Sequence, residues 1–256
     1  MPKRFVVTAS EFGDLPRLPE GSGGVELAEA LTAAARHLHE TTTPHSTLRT
    51  AVRLAVRFMP GAEHAGISVI ERGSRPHSGQ RRALAWTDEV VRSAESRHGG
   101  REPLSHWERL WTTPVARIED SEADDGTGGL SALGLRSALS LRLRADRRSL
   151  TVLTAYASKP RVFDENATRI GRLFTAHVGI ALDSATVRAQ LTEAMRTRDL
   201  IGQATGILME RQDIDAASAF ESLVKASQRE NVKLRDLARR IVDAHDATAG
   251  RGVNER

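Results

Sequence analysis

From Asp164 onward the sequence keeps the helical period, and no strand pattern returns. Leu173, Ile180, Val187, Leu191, Ala194, Ile201 and Leu208 form a seam of alternating three- and four-residue or whole-heptad steps, with His177, Ser184, Arg198 and Thr205 in the remaining seam positions. Two arrangements satisfy such a seam. One is a long helix lying on its own sheet; in the other its middle, 183–200, also pairs with a second copy as a parallel coiled coil. The polar seam residues make that coil weak by itself.

Any sheet must therefore come from the residues before Asp164. Residues 1–24 carry three prolines and four glycines, end in "EGSGG", and read as a flexible leader. A helix is expected over 25–41, where Leu27, Leu31, Ala34, Ala35 and Leu38 share a face. A second starts near Pro44, with Leu48, Val52, Ala55 and Val56 on one side, and Pro60 and Gly61 stop it. "HAGISVI" then reads as a strand. "LSLRLRAD" alternates strictly, Leu139, Leu141 and Leu143 against Ser140, Arg142 and Arg144, which predicts a strand with one wet face. A turn at Asp146–Arg148 leads into the more uniformly apolar "LTVLTAYAS", giving an antiparallel hairpin at the centre of a sheet. Short helices at 88–98 and around 103–110, a strand at "TPVARI" and the acidic loop 119–129 lie between. The fold class is α+β.

The last segment has a three-helix pattern. "IGQATGILMERQ" is helical over 201–211, although Gly206 costs about 1 kcal/mol against alanine. The second helix places Ala216, Ala219, Phe220, Leu223, Val224 and Ser227 on one face behind an Asp215 N-cap. The third carries Leu234, Leu237, Ala238, Ile241 and Val242, with Asn231 as a capping candidate, and 247–256 reads as a flexible tail. Phe220, the sole aromatic after residue 200, is expected in the core.

The residues "DLIGQATGILMERQDIDAASAFESLVKASQRENVKLRDLARRIV" (199–242) closely resemble an ANTAR domain, with Ala204, Gly206, Leu208, Met209, Ala219, Phe220, Leu223, Ser227, Leu234 and Ala238 in register. The upstream part, 25–183, resembles a GAF domain of the sort fused to ANTAR in actinobacterial regulators. It does so through "HLHETTTPHSTLRTAVRLAVRFMPGAEHAGISVIERG", "ALGLRSALSLRL" and "FDENATRIGRLFTAHVGIAL". The resemblance implies a GAF domain with an antiparallel sheet flanked by helices at 25–183. A helical connector at 184–200 and a three-helix ANTAR bundle at 201–246 would follow. It further implies a transcription antitermination regulator, usually a homodimer, that binds tandem RNA stem-loops in nascent transcripts under the control of a sensor domain.

Between 225 and 240 six basic residues face Glu230 and Asp236, a local +4 within a segment, 200–256, of nine basic and nine acidic residues. Such a cluster suits a phosphate backbone. The expected RNA-binding residues are Ala204, Thr205, Gly206, Lys225, Ser227, Gln228, Arg229, Asn231, Lys233 and Arg235. With Phe220 assigned to the core, stacking on loop bases falls to Arg229 or Arg235. Ala204 and Gly206 would let another backbone approach the first helix, or Gly206 would make room for Phe220. Thr205 departs from the family, which usually carries Lys or Arg there; a lost charge-assisted contact is worth about 1.5–3 kcal/mol.

On the sensor side the expected pocket residues are Trp86, Trp107 and Trp111, with His98 or His106 nearby. "HGGREPLSHWERL" lacks the cysteine of its relatives, and Thr151 and Thr154 replace residues that are commonly Gly and Asn. The chain contains no cysteine, which excludes bilin attachment through a thiol and a cysteine-based sulfoxide reductase. His37 and His39 are two apart and point to different helix faces, so no zinc helix is formed. No catalytic spacing, metal or cofactor is expected, nor a membrane segment, and the location expected is cytoplasmic. A protein-interaction regulator that has lost RNA binding, and a DNA-binding regulator, remain open alternatives.

Overall fold

The computed structural model describes residues 24–72, 80–96, 105–123 and 129–253, with backbone only at 80, 105–108 and 248–253. The leader expected at 1–24 thus lies outside the described residues, apart from Gly24. The chain divides into two compact units, Met1–Val187 and Arg188–Arg256.

The first unit is built on a five-stranded antiparallel sheet. Its strands are β1 (His64–Glu71), β2 (Gln80–Trp86), β3 (Val115–Ile118), β4 (Ser137–Ala145) and β5 (Ser149–Ala157), in the order β2-β1-β5-β4-β3. The apolar β5 is central, paired with β1 from Ala65↔Ala155 to Ile70↔Leu150 and with β4 through the expected hairpin. Asp146 closes that hairpin: its carboxylate accepts the amide protons of Arg148 and Ser149 at 2.8 and 2.7 Å. An aspartate bonding its own backbone two residues on is a turn former in its own right.

One face of the sheet packs on α1 (Gly24–His39), α2 (Pro44–Phe58) and the first part of α5 (Glu165–Gln212). Ile67, Leu139, Leu141 and Leu153 meet Val52, Ala55, Phe174 and Val178 there, all buried, and Phe58 stacks on Phe174 at 5.6 Å. The helix α2 starts on a capping box, Thr43 and Ser46 bonding each other's backbone around Pro44. At Gly171 an added Cβ would lie 2.6 Å from Leu141 Cδ1, so glycine sets how closely α5 can approach β4.

The other face is covered too, by α3 (Glu89–Ser96), α4 (Ser105–Thr112) and the loop ahead of β4. Val91, Ala94, Ile118, Leu135 and Tyr156 form one cluster there, and Ile70, Leu110, Leu150 and Val152 another. This corrects the expectation of a wet face on β4 at Ser140 and Arg142, while Arg144 is exposed as expected. Ser140 is fully buried and shares a 3.2 Å hydrogen bond with Thr154, while Arg142 is half-buried and donates to the carbonyls of Leu110 and Trp111. Strand β2 is an element that the hydrophobic pattern did not reveal.

The second unit consists of the last part of α5, α6 (Ala216–Glu230) and α7 (Leu234–Val253). Ala204, Leu223, Leu237 and Ala238 are its buried centre, flanked by Leu200, Ile201, Leu208 and Val232. The residues expected as connector and first bundle helix form one uninterrupted helix. The third helix continues to Val253, through most of the expected tail. Along α5, Leu173, Ile180 and Val187 of the first unit are exposed, as are Leu191 and Met195 of the second. No helix of the described residues is long and apolar enough to cross a membrane.

Candidate nucleic-acid interface and sensor cleft

The corner between α6 and α7 is fixed by local chemistry. Asp215 caps α6 by accepting the Ser218 amide proton at 2.7 Å, as its position suggests. Asn231 is a cap of the other kind. It ends α6 in the left-handed region at φ 52° rather than starting α7, a conformation asparagine tolerates better than most residues. The Val232 amide returns to the Ser227 carbonyl at 3.1 Å, and Ser227 Oγ donates to the Val232 carbonyl at 2.6 Å. Ser227 thus spends its proton on the corner itself.

Around this corner Lys225, Gln228, Arg229, Lys233 and Arg235 are exposed. Their electrostatics differ. Lys225 pairs with Glu221 at 2.8 Å, Arg240 with Glu230 at 2.9 Å, and Arg235 more loosely with Asp236 and Glu193. Arg229, Lys233 and Arg239 have no ion pair among the described residues. These three are the cations most open to an incoming anion, since no internal carboxylate must be displaced first.

On α5 the expected site residues separate. Ala204 is fully buried in the bundle core and is a packing residue, not a surface contact. Thr205 is half-buried and donates to the Ile201 carbonyl at 2.8 Å, so its hydroxyl serves its own helix. Gly206 is exposed, and an added Cβ would meet nothing within 4 Å; the same holds for Gly202. Gly206 therefore makes no room for Phe220, which is itself 45% exposed instead of in the core. Its neighbour Ala219 takes the buried position, so the helix is rotated from the sequence-based assignment. An aromatic face is consequently present on the surface of this unit.

In the first unit Trp86, at the end of β2, is 37% exposed, with the Arg92 guanidinium over its ring at 6.0 Å. It lines a cleft of about 420 Å³ with Glu71, Arg81, Arg82, Arg92 and Ser96. Trp111 does not reach this cleft: it is half-buried beside Leu110 and Leu150, under Arg72 at 4.4 Å. The side chains of Trp107 and His106, and all of His98, lie outside the described residues. Trp86 and Trp111 thus do not share one pocket wall.

Beside the cleft sits a buried polar cluster that sequence reasoning missed. Arg81 pairs with Glu95, and both are buried. Tyr156 Oη donates to the other Glu95 oxygen at 2.7 Å, Arg81 Nε donates to Ser68 Oγ at 2.9 Å, and Arg81 Nη1 to the Ala94 carbonyl at 3.2 Å. Burial opposes the charge on Arg81, but Glu95 more than offsets it and the guanidinium pKa lies above its ordinary value. Burial, then Glu95, pushes the Tyr156 phenol up, so it remains a donor. Gly66 makes this possible: a Cβ there would come within 2.7 Å of Glu95 and Val91. An inward arginine and glycine inside strand patterns were the available signals.

No group of three or more His, Asp or Glu suited to a metal occurs among the described residues. Comparison with known proteins matches residues 41–183 to the GAF domain and residues 189–242 to the ANTAR domain. No curated protein matches in sequence. Among solved structures, a bacteriophytochrome from R. palustris is similar over 80% of this chain and 47% of its own, with TM-score 0.53 and 14% identity. A phytochrome photosensory core from Stigmatella aurantiaca is similar over 81% and 46%, with TM-score 0.51 and 11% identity. The free methionine-R-sulfoxide reductase of Neisseria meningitidis is similar over 69% of this chain and 98% of its own, with TM-score 0.50 and 16% identity. The chain spans about half the length of the two phytochromes, and at these identities the likeness concerns the fold. With most of its length matched by the first of these family models and the following segment by the second, the chain belongs to the GAF domain family and carries an ANTAR domain: it is a regulator of the GAF–ANTAR type.

Proposed function

We propose that this regulator binds RNA through the α6–α7 corner and acts by antitermination on tandem stem-loops of a nascent transcript, in the cytoplasm. The supporting observation is the set of exposed cations without an ion pair among the described residues, Arg229, Lys233 and Arg239, on a segment matched to ANTAR. A backbone phosphate pairs with such groups and releases counterions, so affinity falls as salt rises. Gln228 and Asn231 supply hydrogen-bonding groups at the same corner, and Gly206 leaves the α5 surface bare for close approach. Two copies, joined through the exposed Val187, Leu191 and Met195 of α5, would present two such corners to two loops. The GAF domain supplies the control. Fluorescence anisotropy with a labelled tandem stem-loop RNA tests the reading: replacing Arg229 and Lys233 by alanine is expected to weaken binding and flatten its salt dependence. Unchanged binding in that double variant would move the site elsewhere. The rival reading, a protein-interaction regulator without RNA affinity, draws on Thr205, whose hydroxyl is turned into its own helix.

A further inference from the structure

We propose that Arg81, which lines the α3–β2 cleft, and Tyr156, buried behind it, form a carboxylate receptor, that Glu95 is its resident occupant, and that a small aromatic acid takes Glu95's place. This inference rests on reading the first unit as a ligand sensor.

Three observations carry it. The receptor is fully formed around a carboxylate: one Glu95 oxygen takes the Arg81 guanidinium and the other the Tyr156 hydroxyl. Ser68 and the Ala94 carbonyl hold the guanidinium in place from behind. A planar arginine fork and one phenol suit two coplanar oxygens, which is carboxylate geometry. Next, Arg81 links the cleft to the receptor, with Glu95 and Tyr156 buried behind it. The cleft, at about 420 Å³, lies within the range of small-molecule sites. Its wall offers the half-exposed Trp86 to stack on an aromatic body, and Arg82 and Arg92 outweigh the one carboxylate there, Glu71. Finally, the occupant sits at the end of α3 remote from the Asp88 cap that holds its start. The helix α3 has eight residues, of which only Val91 and Ala94 are buried apolar ones. So short a helix has little stability of its own. Displacing Glu95 would release its side chain and loosen the end of α3 beyond Ala94, whose carbonyl stays on Arg81.

The test titrates the full-length protein with benzoate, indole-3-acetate, phenyl phosphate and uncharged benzamide, read by calorimetry and tryptophan fluorescence. Benzoate or indole-3-acetate is expected to bind saturably and benzamide not. Glu95→Ala, which empties the receptor, is expected to bind benzoate at least about tenfold more tightly, a gain of about 1.4 kcal/mol. Trp86→Ala, a surface change, is expected to weaken binding several-fold with the fold intact. If Glu95→Ala does not fold, the wild-type and Trp86→Ala titrations decide. Absence of saturable carboxylate binding in the wild type and in a folded Glu95→Ala, or no effect of Trp86→Ala, overturns the inference. Phenyl phosphate or benzamide binding without the carboxylates overturns the ligand class while leaving the sensor reading intact. RNA binding, measured on the same preparation, reports on the second unit independently.

Discussion

His64 and Asp88 show how much one contact can settle locally. His64 Nδ1 lies 2.7 Å from Asp88 Oδ2, and the same carboxylate accepts the Thr87 hydroxyl and the amides of Val90 and Val91 at the start of α3. The hydrogen bond to Asp88 raises the imidazole above 6.5, against partial burial. For Asp88, burial pushes upward, but the bonds from His64, Thr87 and Val91 prevail and hold it at about 2. A raised histidine pKa contributes stability that is complete below its unfolded value and lost as pH rises through the folded one. The depressed Asp88 contributes stability present above its unfolded value and lost as pH falls towards 2. The destabilisation caused by His64→Gln should therefore be larger in thermal melts at about pH 5.5 than at about pH 8.5. In NMR titration, Asp88→Asn should return the His64 pKa to its ordinary range. Equal destabilisation at both pH values would show that the pair has no charged character.

Thr205 stands where the resemblance to ANTAR leads one to expect a basic residue. Replacing Thr205 by lysine adds a cation on α5 and gives up only a hydroxyl bond to the helix's own carbonyl. RNA affinity should rise by the worth of a charge-assisted contact, about 1.5–3 kcal/mol, or roughly tenfold to a hundredfold. Binding seen only in that variant would favour the protein-interaction reading. Other single residues were less legible. Phe220 and Ala219 are adjacent and both compatible with a buried stripe, so periodicity alone put Phe220 in the core; the bundle buries the smaller one. Helices joined at positions as small as Ala204, Ala219 and Ala238 leave no room for a phenyl ring at their centre.

At the level of elements, the helices and the β4–β5 hairpin could be read because each followed a single period. Strand β2 could not. Its inward positions include Arg81, whose charge is neutralised by Glu95, a residue fourteen positions on that no local pattern connects with it. The wet face expected on β4 holds at Arg144 but not at Ser140 and Arg142, which are satisfied by Thr154 and by carbonyls of α4, so polar residues cross a covered layer. Buried polar groups of this kind need partners, and the partners are distant in sequence. The seam of α5 was legible, and it is exposed where a second copy would pair. Leu191→Lys is expected to convert a dimer to a monomer in light scattering without loss of helical signal. An unchanged mass would exclude α5 as the dimer contact. Polar seam positions at Ser184 and Arg198 would keep such a pairing weak.

The whole molecule joins a covered sheet, with a polar cluster and a cleft, to a small bundle whose exposed corner is basic. Its family was legible from short motifs, in part because Ala204, Ala219, Leu223 and Ala238 fill packing positions of the bundle. The sensor chemistry was not, because Arg81, Glu95 and Tyr156 meet only after the sheet has formed. Avidity between two corners is the whole-molecule claim: two weak contacts joined in one dimer bind far better than either alone when their spacing fits. The most direct measurement is anisotropy binding of the purified protein to a tandem stem-loop RNA at about 50 and about 200 mM salt, beside an RNA with one loop disrupted and a duplex DNA. Tight, salt-sensitive binding that requires both loops is the expected result. Equal affinity for the one-loop RNA or the duplex would contradict it.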